Sequence, residues 1–367
     1  MINKNICIVT TVHSPFDVRI FHKEAISLKK AGYNLTIIAP HDINETVNDI
    51  NIIALKKHKD RIQRMFKTSK QAFILAVNQK ADVYHFHDPE LIPVGLKLKK
   101  LGKKVIYDVH EDVPRQILSK PYLKRFIKPI ISKIFEIYEN YAAKKFDAII
   151  AATPYIRDRF KQINKNTVDI NNYPKIDELY EPVNWDIRKN EICYIGGITK
   201  IRGIEEVIKA LEYTNTVLHL AGNFESKELE EYIKSLKGWS KVRYYGFIGR
   251  DKVKEILKNV KIGLVTLYPT INYLDSLPVK MFEYMSAGIP VIASNFPLWK
   301  EIIERNNCGI CVDPLNPKEI ANGINYLLEN DHIAKTMGEN GRKLVMTKYN
   351  WENEEKKLLD IYFKILK

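Results

Sequence analysis

Two carboxylates, Asp275 and Glu283, stand eight positions apart in the stretch NYLDSLPVKMFEYMSAGIPVIAS, residues 272–294, with Pro278 and Lys280 between them. The spacing predicts a helix over about residues 277–287. Proline fits a first helical turn, where its missing N–H is not needed, and Gly288 fits the position after the last turn. The free amides and the dipole of such a helix start receive an anion such as a phosphate. Lys280 in that first turn is disfavoured by the dipole unless an anion sits there too. Asp275 has two readings at this point, a cap accepting an amide hydrogen bond or an acid facing a ligand. Glu283 also has two. It pairs with Lys280 along the helix, or, set among Met281, Phe282, Tyr284 and Met285, it is a partly buried carboxylate whose fixed partner is a sugar or ribose diol.

Further chemistry sits after other apolar runs. CYIGGITKIRGIEEVIKAL is a strand, a glycine turn and a helix, in which Gly196 and Gly197 let the backbone approach a ligand and Lys200 and Arg202 overhang it. Neither G-x-G-x-x-G nor G-x-x-x-x-G-K-[ST] occurs, which argues against a dinucleotide dehydrogenase or a P-loop enzyme. Two histidine clusters follow strands, YHFHDPEL and YDVHEDVP. His85 and His87 alternate on one strand face but lack a third ligand at metal spacing, and His85 reads as a strand-end histidine bonded to the next loop. Asp108, Glu111 and Asp112 surround His110, so its proton affinity should rise and it could orient a hydroxyl. Asp88 and Glu90 follow the first of these strands as weaker candidates. In SPFDVR, Arg19 could bridge a phosphate or a carboxylate in bidentate fashion, or Asp17 and Arg19 pair with each other. Cys308 and Cys311 form a C-x-x-C with no second pair or nearby histidine, so no metal is expected.

The elements that must position these residues follow from periodicity. Apolar runs of strand length (ICIVTTV, NLTIIAP, VYHFHD, KVIYDVH, DAIIAAT) alternate with segments of helical period. Strands apolar on both faces imply parallel sheets covered by helices. A polar stretch with two prolines, residues 171–185, interrupts the pattern, which then restarts with EICYIGG. Two doubly wound α/β domains are expected, residues 1–175 and 188–350, with a helix over 351–367 that packs back on one of them. In such folds ligands lie beyond the carboxyl ends of the strands, here in the crevice between the two domains.

Taken in order, HSPFDVRIFHKEAISLKKAGYNLTIIAP, YHFHDPEL, YDVHED, YIGGITKIRGI, GFIGRDKV and DSLPVKMFEYMSAGIPVIAS resemble the retaining nucleotide-sugar glycosyltransferases of family 4 over nearly the whole chain. The resemblance implies a GT-B fold, two Rossmann-like parallel-sheet domains facing across a cleft. It also implies retaining glycosyl transfer from a nucleotide diphosphate sugar to a hydroxyl of a glycan or lipid-linked acceptor, in cell-surface polysaccharide synthesis, without metal or other cofactor. The family's E-x7-E is filled here by Asp275 and Glu283, so Asp275 would face the donor sugar and phosphates and Glu283 the ribose. The backbone at Leu277, Val279 and Lys280 would approach the diphosphate, and Phe247 would stand where the backbone holds the base. Gly197 and Arg202 belong to the donor loop, and His110 would contact the donor sugar. Asp17, Arg19, Asp88 and Glu111 remain as acceptor or phosphate candidates. The chain departs from the family pattern in three places: the shorter acid at Asp275, no arginine directly after Gly197, with Lys280 as a replacement cation, and no glycine in SPFDVR.

Charge separates the halves. Residues 1–175 carry 31 Lys and Arg against 17 Asp and Glu, while residues 176–367 carry 27 of each, so the first half holds the whole net charge of +14. An anionic partner for that half is expected. Its densest part, LSKPYLKRFIKPIISKIF over residues 118–135, reads as an amphipathic helix with a basic face, kinked at Pro129. Mostly isoleucine and leucine separate the lysines. That favours an anionic membrane surface and no nucleic acid, although a basic nucleic-acid-binding protein is the rival from another class. A nucleotide-sugar 2-epimerase or hydrolase is the rival on the same fold. No apolar run is long enough to span a bilayer, and the expected location is cytoplasmic, at most peripheral on the inner face of the cell membrane.

Overall fold

The computed structural model describes residues 4–57, 60, 63–120 and 123–367. The chain forms two compact units, Met1–Asn172 together with Asn353–Lys367, and Tyr173–Glu352. Among the described residues, the first unit holds strands β1 (Asn5–Val9), β2 (Asn34–Pro40), β3 (Glu45–Val47), β4 (Ile50–Leu55), β5 (Val83–Phe86), β6 (Lys104–Val109), β7 (Ala148–Ala151) and β8 (Thr167–Asp169). They lie in the order β3-β4-β2-β1-β5-β6-β7-β8. All neighbours are parallel except β3 and β4, whose antiparallel pairing over Glu45–Val47 was not apparent from the apolar pattern. Strands β5 and β7 are buried at every position, as a sheet covered on both faces requires.

The second unit repeats the plan with β9 (Ile192–Ile195), β10 (Leu218–Ala221), β11 (Val242–Tyr244), β12 (Ile262–Val265), β13 (Val291–Ser294) and β14 (Gly309–Val312). Their order is β11-β10-β9-β12-β13-β14, all parallel. In each unit the chain runs outward from a central strand and then returns to its other side. The order therefore reverses between β1 and β5, and between β9 and β12. Loops leaving the carboxyl ends of those pairs diverge and open a crevice, which fixes where ligands can enter a doubly wound sheet.

Two helices differ from the sequence expectation. The segment 118–135 is not one kinked helix. A helix Val113–Ser119 ends first, Pro121 and Tyr122 lie outside the described residues, and a second helix begins at Lys128 and runs to Ala143. Pro129 stands in its first turn, where proline fits a helix start and produces no kink. The helix expected over 277–287 is Val279–Ser286, with Pro278 at its N-cap in an extended conformation (φ −67°, ψ 126°). The C-terminal helix Trp351–Leu366 belongs from Asn353 onward to the first unit. Leu358, Ile361, Tyr362 and Ile365 form its buried stripe. Its polar anchors are Glu354 Oε2, which accepts from Asn171 N at 2.8 Å, and Tyr362 OH, 2.8 Å from His85 Nδ1.

Candidate functional site

In the second unit, Gly196, Gly197, Arg202 and Lys280, singled out in sequence, come together at the reversal point. The turn after β9 holds Gly196 at φ 128°, and the turn after β10 holds Gly222 at φ 139°. These turns touch backbone to backbone, because a Cβ on Gly222 would lie 2.0 Å from the Gly196 carbonyl oxygen. Glycine is required by both the positive φ and the approach. Lys280, in the first turn of the helix Val279–Ser286, reaches back so that its Cε and Nζ come 3.3 Å from where a Cβ on Gly196 would stand. Its ammonium lies 3.8 Å from the centroid of the Tyr194 ring. No side chain caps this helix; Met281 N donates to the Pro278 carbonyl oxygen at 3.0 Å, which leaves the N–H groups of Val279 and Lys280 ahead of it uncapped.

Lys280 Nζ is shielded from solvent and has no hydrogen-bond partner among the described residues. Burial, followed by repulsion from Arg202, depresses its pKa from the ordinary 10.5 to about 7. Arg202 adds a second cation and donates from Nη1 to the Gly197 carbonyl oxygen at 3.3 Å. Three hydroxyls in the loops after β9 and β12, those of Thr199, Thr266 and Thr270, are buried and equally unpartnered. Buried polar atoms are almost always paired, so an open lysine and three open hydroxyls on elements that follow β9 and β12 make the carboxyl end of this sheet the candidate site for an anionic ligand.

Glu283 is tied down, but not by Lys280. Arg250 Nη1 donates to its carboxylate at 2.7 Å, while Arg250 Nε donates to Glu178 at 2.8 Å. Arg250 opens the helix Arg250–Asn259. Its signal in sequence was the cation ending GFIGR, yet nothing local pointed 33 residues ahead to Glu283. Asp275 is exposed and does not cap the helix, which removes the capping reading. Leu277 and Val279 are half-buried at the helix start, and Phe247 is 80% exposed.

The first unit carries a buried ionic cluster. Arg19 is 4% exposed and grips Asp108 through Nε and Nη2, with Nη2 at 2.8 Å from Oδ2, while Nη1 donates to the Ile170 carbonyl oxygen at 2.7 Å. Its Nε also lies 2.9 Å from Glu24 Oε1. The guanidinium that could have bridged a phosphate is thus committed inside the unit. It does not pair with the Asp17 side chain either, since Asp17 Oδ1 instead accepts the backbone N–H groups of Arg19 and Ile20. Burial raises the Glu24 pKa well above the carboxylate range, with Arg19 offsetting only part of it. For Asp108 burial acts upward too, but Arg19 and His110 outweigh it and hold the group well below its usual value. Burial lowers the pKa of His85 and, more strongly, that of His87.

Glu24, His85, His87 and Asp108 place potential metal-ligand atoms within 4.8 Å of one another, although Glu24 and Asp108 gave no such signal in sequence. The positive charge among them is already the Arg19 guanidinium, lying against both carboxylates. His85 is bonded to Tyr362 of the C-terminal helix and not to the next loop. Asp88 is buried and accepts from Thr10 Oγ1 at 2.8 Å and Thr11 N at 2.6 Å, joining the loops after β1 and β5. His110 is the member of the cluster that reaches solvent, with 21% of its side chain exposed and Nε2 3.0 Å from His87 Nδ1. His13 packs against it, ring centroids 5.2 Å apart. Glu111 is exposed and accepts from Gln116 Nε2. Cys308 and Cys311 are distant from this cluster in the chain, and burial pushes both thiols up to about 12.

Fold and sites together define an α/β protein of two doubly wound units, each with its functional loops at a strand-order reversal. The sequence profile of the glycosyl transferases group 1 matches residues 175–344, and that of glycosyltransferase family 4 matches residues 18–170. The chain belongs to these glycosyltransferases. An uncharacterized glycosyltransferase of Methanocaldococcus jannaschii is 26% identical over 92% of this chain and 91% of its own length. Among solved structures, sucrose-phosphate synthase from Thermosynechococcus elongatus superposes with a TM-score of 0.79 at 17% identity, covering 99% of both chains. HepE of Anabaena, solved in complex with UDP-glucose, superposes with a TM-score of 0.74 at 15% identity over 99% of this chain and 100% of its own. Those two likenesses bear on the fold, which they share with this chain throughout.

Proposed function

We propose that the protein transfers a glycosyl unit, with retention at the anomeric carbon, from a nucleotide diphosphate sugar to a hydroxyl of a glycan or lipid-linked acceptor. We assign it to cell-surface polysaccharide synthesis at the inner face of the membrane. The observation that carries the reading is the buried, unpartnered ammonium of Lys280 beside an uncapped helix start and the Gly196 turn. A diphosphate placed there meets open N–H groups and two cations where charge grows as the leaving group departs. These fixed donors take the part a metal ion would otherwise play, and the reaction is assigned as metal-independent.

On this reading the bond from the anomeric carbon to the diphosphate oxygen breaks as the acceptor oxygen bonds on the same face. The departing phosphate oxygen receives the acceptor's proton. Asp275, exposed and free of a capping duty, faces the donor sugar, and Glu283, oriented by Arg250, takes the ribose hydroxyls. In the first unit His110 is the ring that a hydroxyl can reach, with His87 fixing its orientation through the 3.0 Å contact. UDP and UDP-glucose are the nucleotides to try first, since the HepE structure was solved with UDP-glucose.

Thermal shift tests binding: a ligand at 100 times its dissociation constant adds about 2.7 kcal/mol to the stability of the unit that binds it. Asp275→Asn tests the chemistry. Transfer should fall by about 10²-fold or more, with the melting temperature and nucleotide affinity near those of the parent. Loss of stability with transfer retained would return Asp275 to a structural role. Sugar released or converted equally well without acceptor would favour the hydrolase or epimerase instead.

A further inference from the structure

The first unit bears a surface that neither the ionic cluster nor the donor chemistry explains. The helix Lys128–Ala143 is turned inside out. Its fully buried residues are Ser132, Glu139, Ala142 and Ala143, with Phe135 partly buried against the core, while Ile130, Ile134 and Ile137 are 59%, 63% and 60% exposed. Beside that stripe runs a groove of about 980 Å³, at the upper end of the roughly 300–1,000 Å³ typical of ligand sites. Phe66, Phe73, Ile74, Ile117, Ile131 and Phe135 supply its apolar walls. Phe66 and Ile74, on the helical segment formed by Arg64–Thr68 and Ser69–Asn78, are 72% and 51% exposed. Single exposed apolar side chains are ordinary, but a contiguous patch of this size marks a binding surface.

The cations say what covers it. Lys70, Lys97 and Lys120 line the groove, with Lys97 Nζ 5.4 Å from the Phe73 ring centroid. Glu90, the carboxylate lining it, already accepts from Thr11 Oγ1 at 2.6 Å. An apolar trough edged by lysines complements a hydrocarbon chain with an anionic head group, and suits an apolar protein helix less well. The lining includes Pro89 and Val113, which follow Asp88 and His110 in the chain by one and three residues. The groove therefore lies beside the carboxyl ends of β5 and β6.

We propose that this groove seats the hydrocarbon chain of a phosphate-bearing lipid, which makes the acceptor lipid-linked rather than a free glycan. The proposal rests on the transferase reading for the word acceptor only; the binding itself is independent of it.

Dodecyl phosphate and octyl phosphate, titrated into the full chain below their micelle concentrations, test it. Each buried methylene contributes about fourfold in affinity, so the longer chain should bind on the order of a hundredfold more tightly. Ile74→Asp and Phe66→Asp, at exposed positions that leave the fold intact, should each lower dodecyl phosphate affinity at least tenfold. Lys97→Gln should reduce the salt dependence of binding. Equal affinity for the two chain lengths, or full affinity in both aspartate variants, overturns the proposal. So does sedimentation as a dimer that Ile74→Asp dissociates, because the groove would then be covered by a second copy. The UDP thermal shift, measured on the same samples, reports the donor reading separately: an intact shift without alkyl phosphate binding removes the groove proposal alone.

Discussion

Lys280 is the residue on which structure and chemistry meet. An unpaired ammonium shielded from solvent opposes folding, and its pKa, depressed to about 7 by burial, reflects that opposition. The unfolded chain holds the proton up to the ordinary value of 10.5. Stability should therefore be lowest below pH 7 and rise with pH between 7 and 10.5, as the protonated unfolded state loses its advantage. Lys280→Met should raise the unfolding free energy at pH 6 by on the order of 2 kcal/mol, seen as a higher melting temperature, while abolishing nucleoside diphosphate binding. Binding carries the opposite proton balance. Above pH 7 the free protein holds a neutral amine, and a bound diphosphate restores its charge, so binding takes up a proton and affinity falls by up to tenfold per pH unit. Calorimetry at pH 7 and 8 in buffers of different ionisation enthalpy reads that proton directly. A Lys280→Met variant that melts lower than the parent, or binds diphosphate with the same proton uptake, would separate this lysine from the donor.

At the scale of elements, the donor turn depends on two loops that have no room between them. Gly222→Ala would drive a methyl group into the Gly196 carbonyl, 2.0 Å away, at a φ of 139° that alanine rarely adopts. The expected cost is about 1–3 kcal/mol with loss of diphosphate binding, read by urea melts and titration. Gly102→Ala, in the first unit at φ 74° with open space around it, should cost about 1–2 kcal/mol and spare binding. Equal effects of the two substitutions would mean that the contact of turns has no bearing on the ligand. The strands that carry these turns were legible in sequence, because buried parallel strands are continuous apolar runs. So were the helix after Pro278 and the glycine turn after β9, since proline and glycine act locally. Partners across long chain separations were not legible. Arg250 and Glu283, Arg19 and Asp108, and His85 and Tyr362 meet only because the sheets bring them together. The inside-out helix was half legible: its lysines and isoleucines were visible, but which face packs depends on Ser132 and Glu139 finding partners in Pro114 and Tyr107.

For the whole molecule, the chain enters the first unit twice, and the second entry completes it. Residues 353–367 supply Leu358, Tyr362 and Ile365 to its interior, and Tyr362 OH is the partner of the fully buried His85. Lys357 adds an ion pair with Asp169 at 3.2 Å. Truncation after Glu352 would therefore expose an apolar seam and leave His85 Nδ1 unpaired in the interior, at a cost of about 1–3 kcal/mol for that group alone. The second unit, Tyr173–Glu352, keeps its own core and loses none of these residues. The truncated chain should lose dodecyl phosphate binding and the cooperative melting of the first unit, yet keep the UDP thermal shift of the second. Tyr362→Phe gives the milder version. It removes the hydroxyl but keeps the ring, and should lower the stability of the first unit by about 1–2 kcal/mol with no effect on UDP. Proteolysis during a melt distinguishes the units, because fragments from residues 4–172 should appear at lower temperature than those from 173–352. If both sets appear together in the truncated chain as in the parent, the terminal helix is dispensable to the first unit, and its contacts with His85 and Asp169 contribute little to its stability.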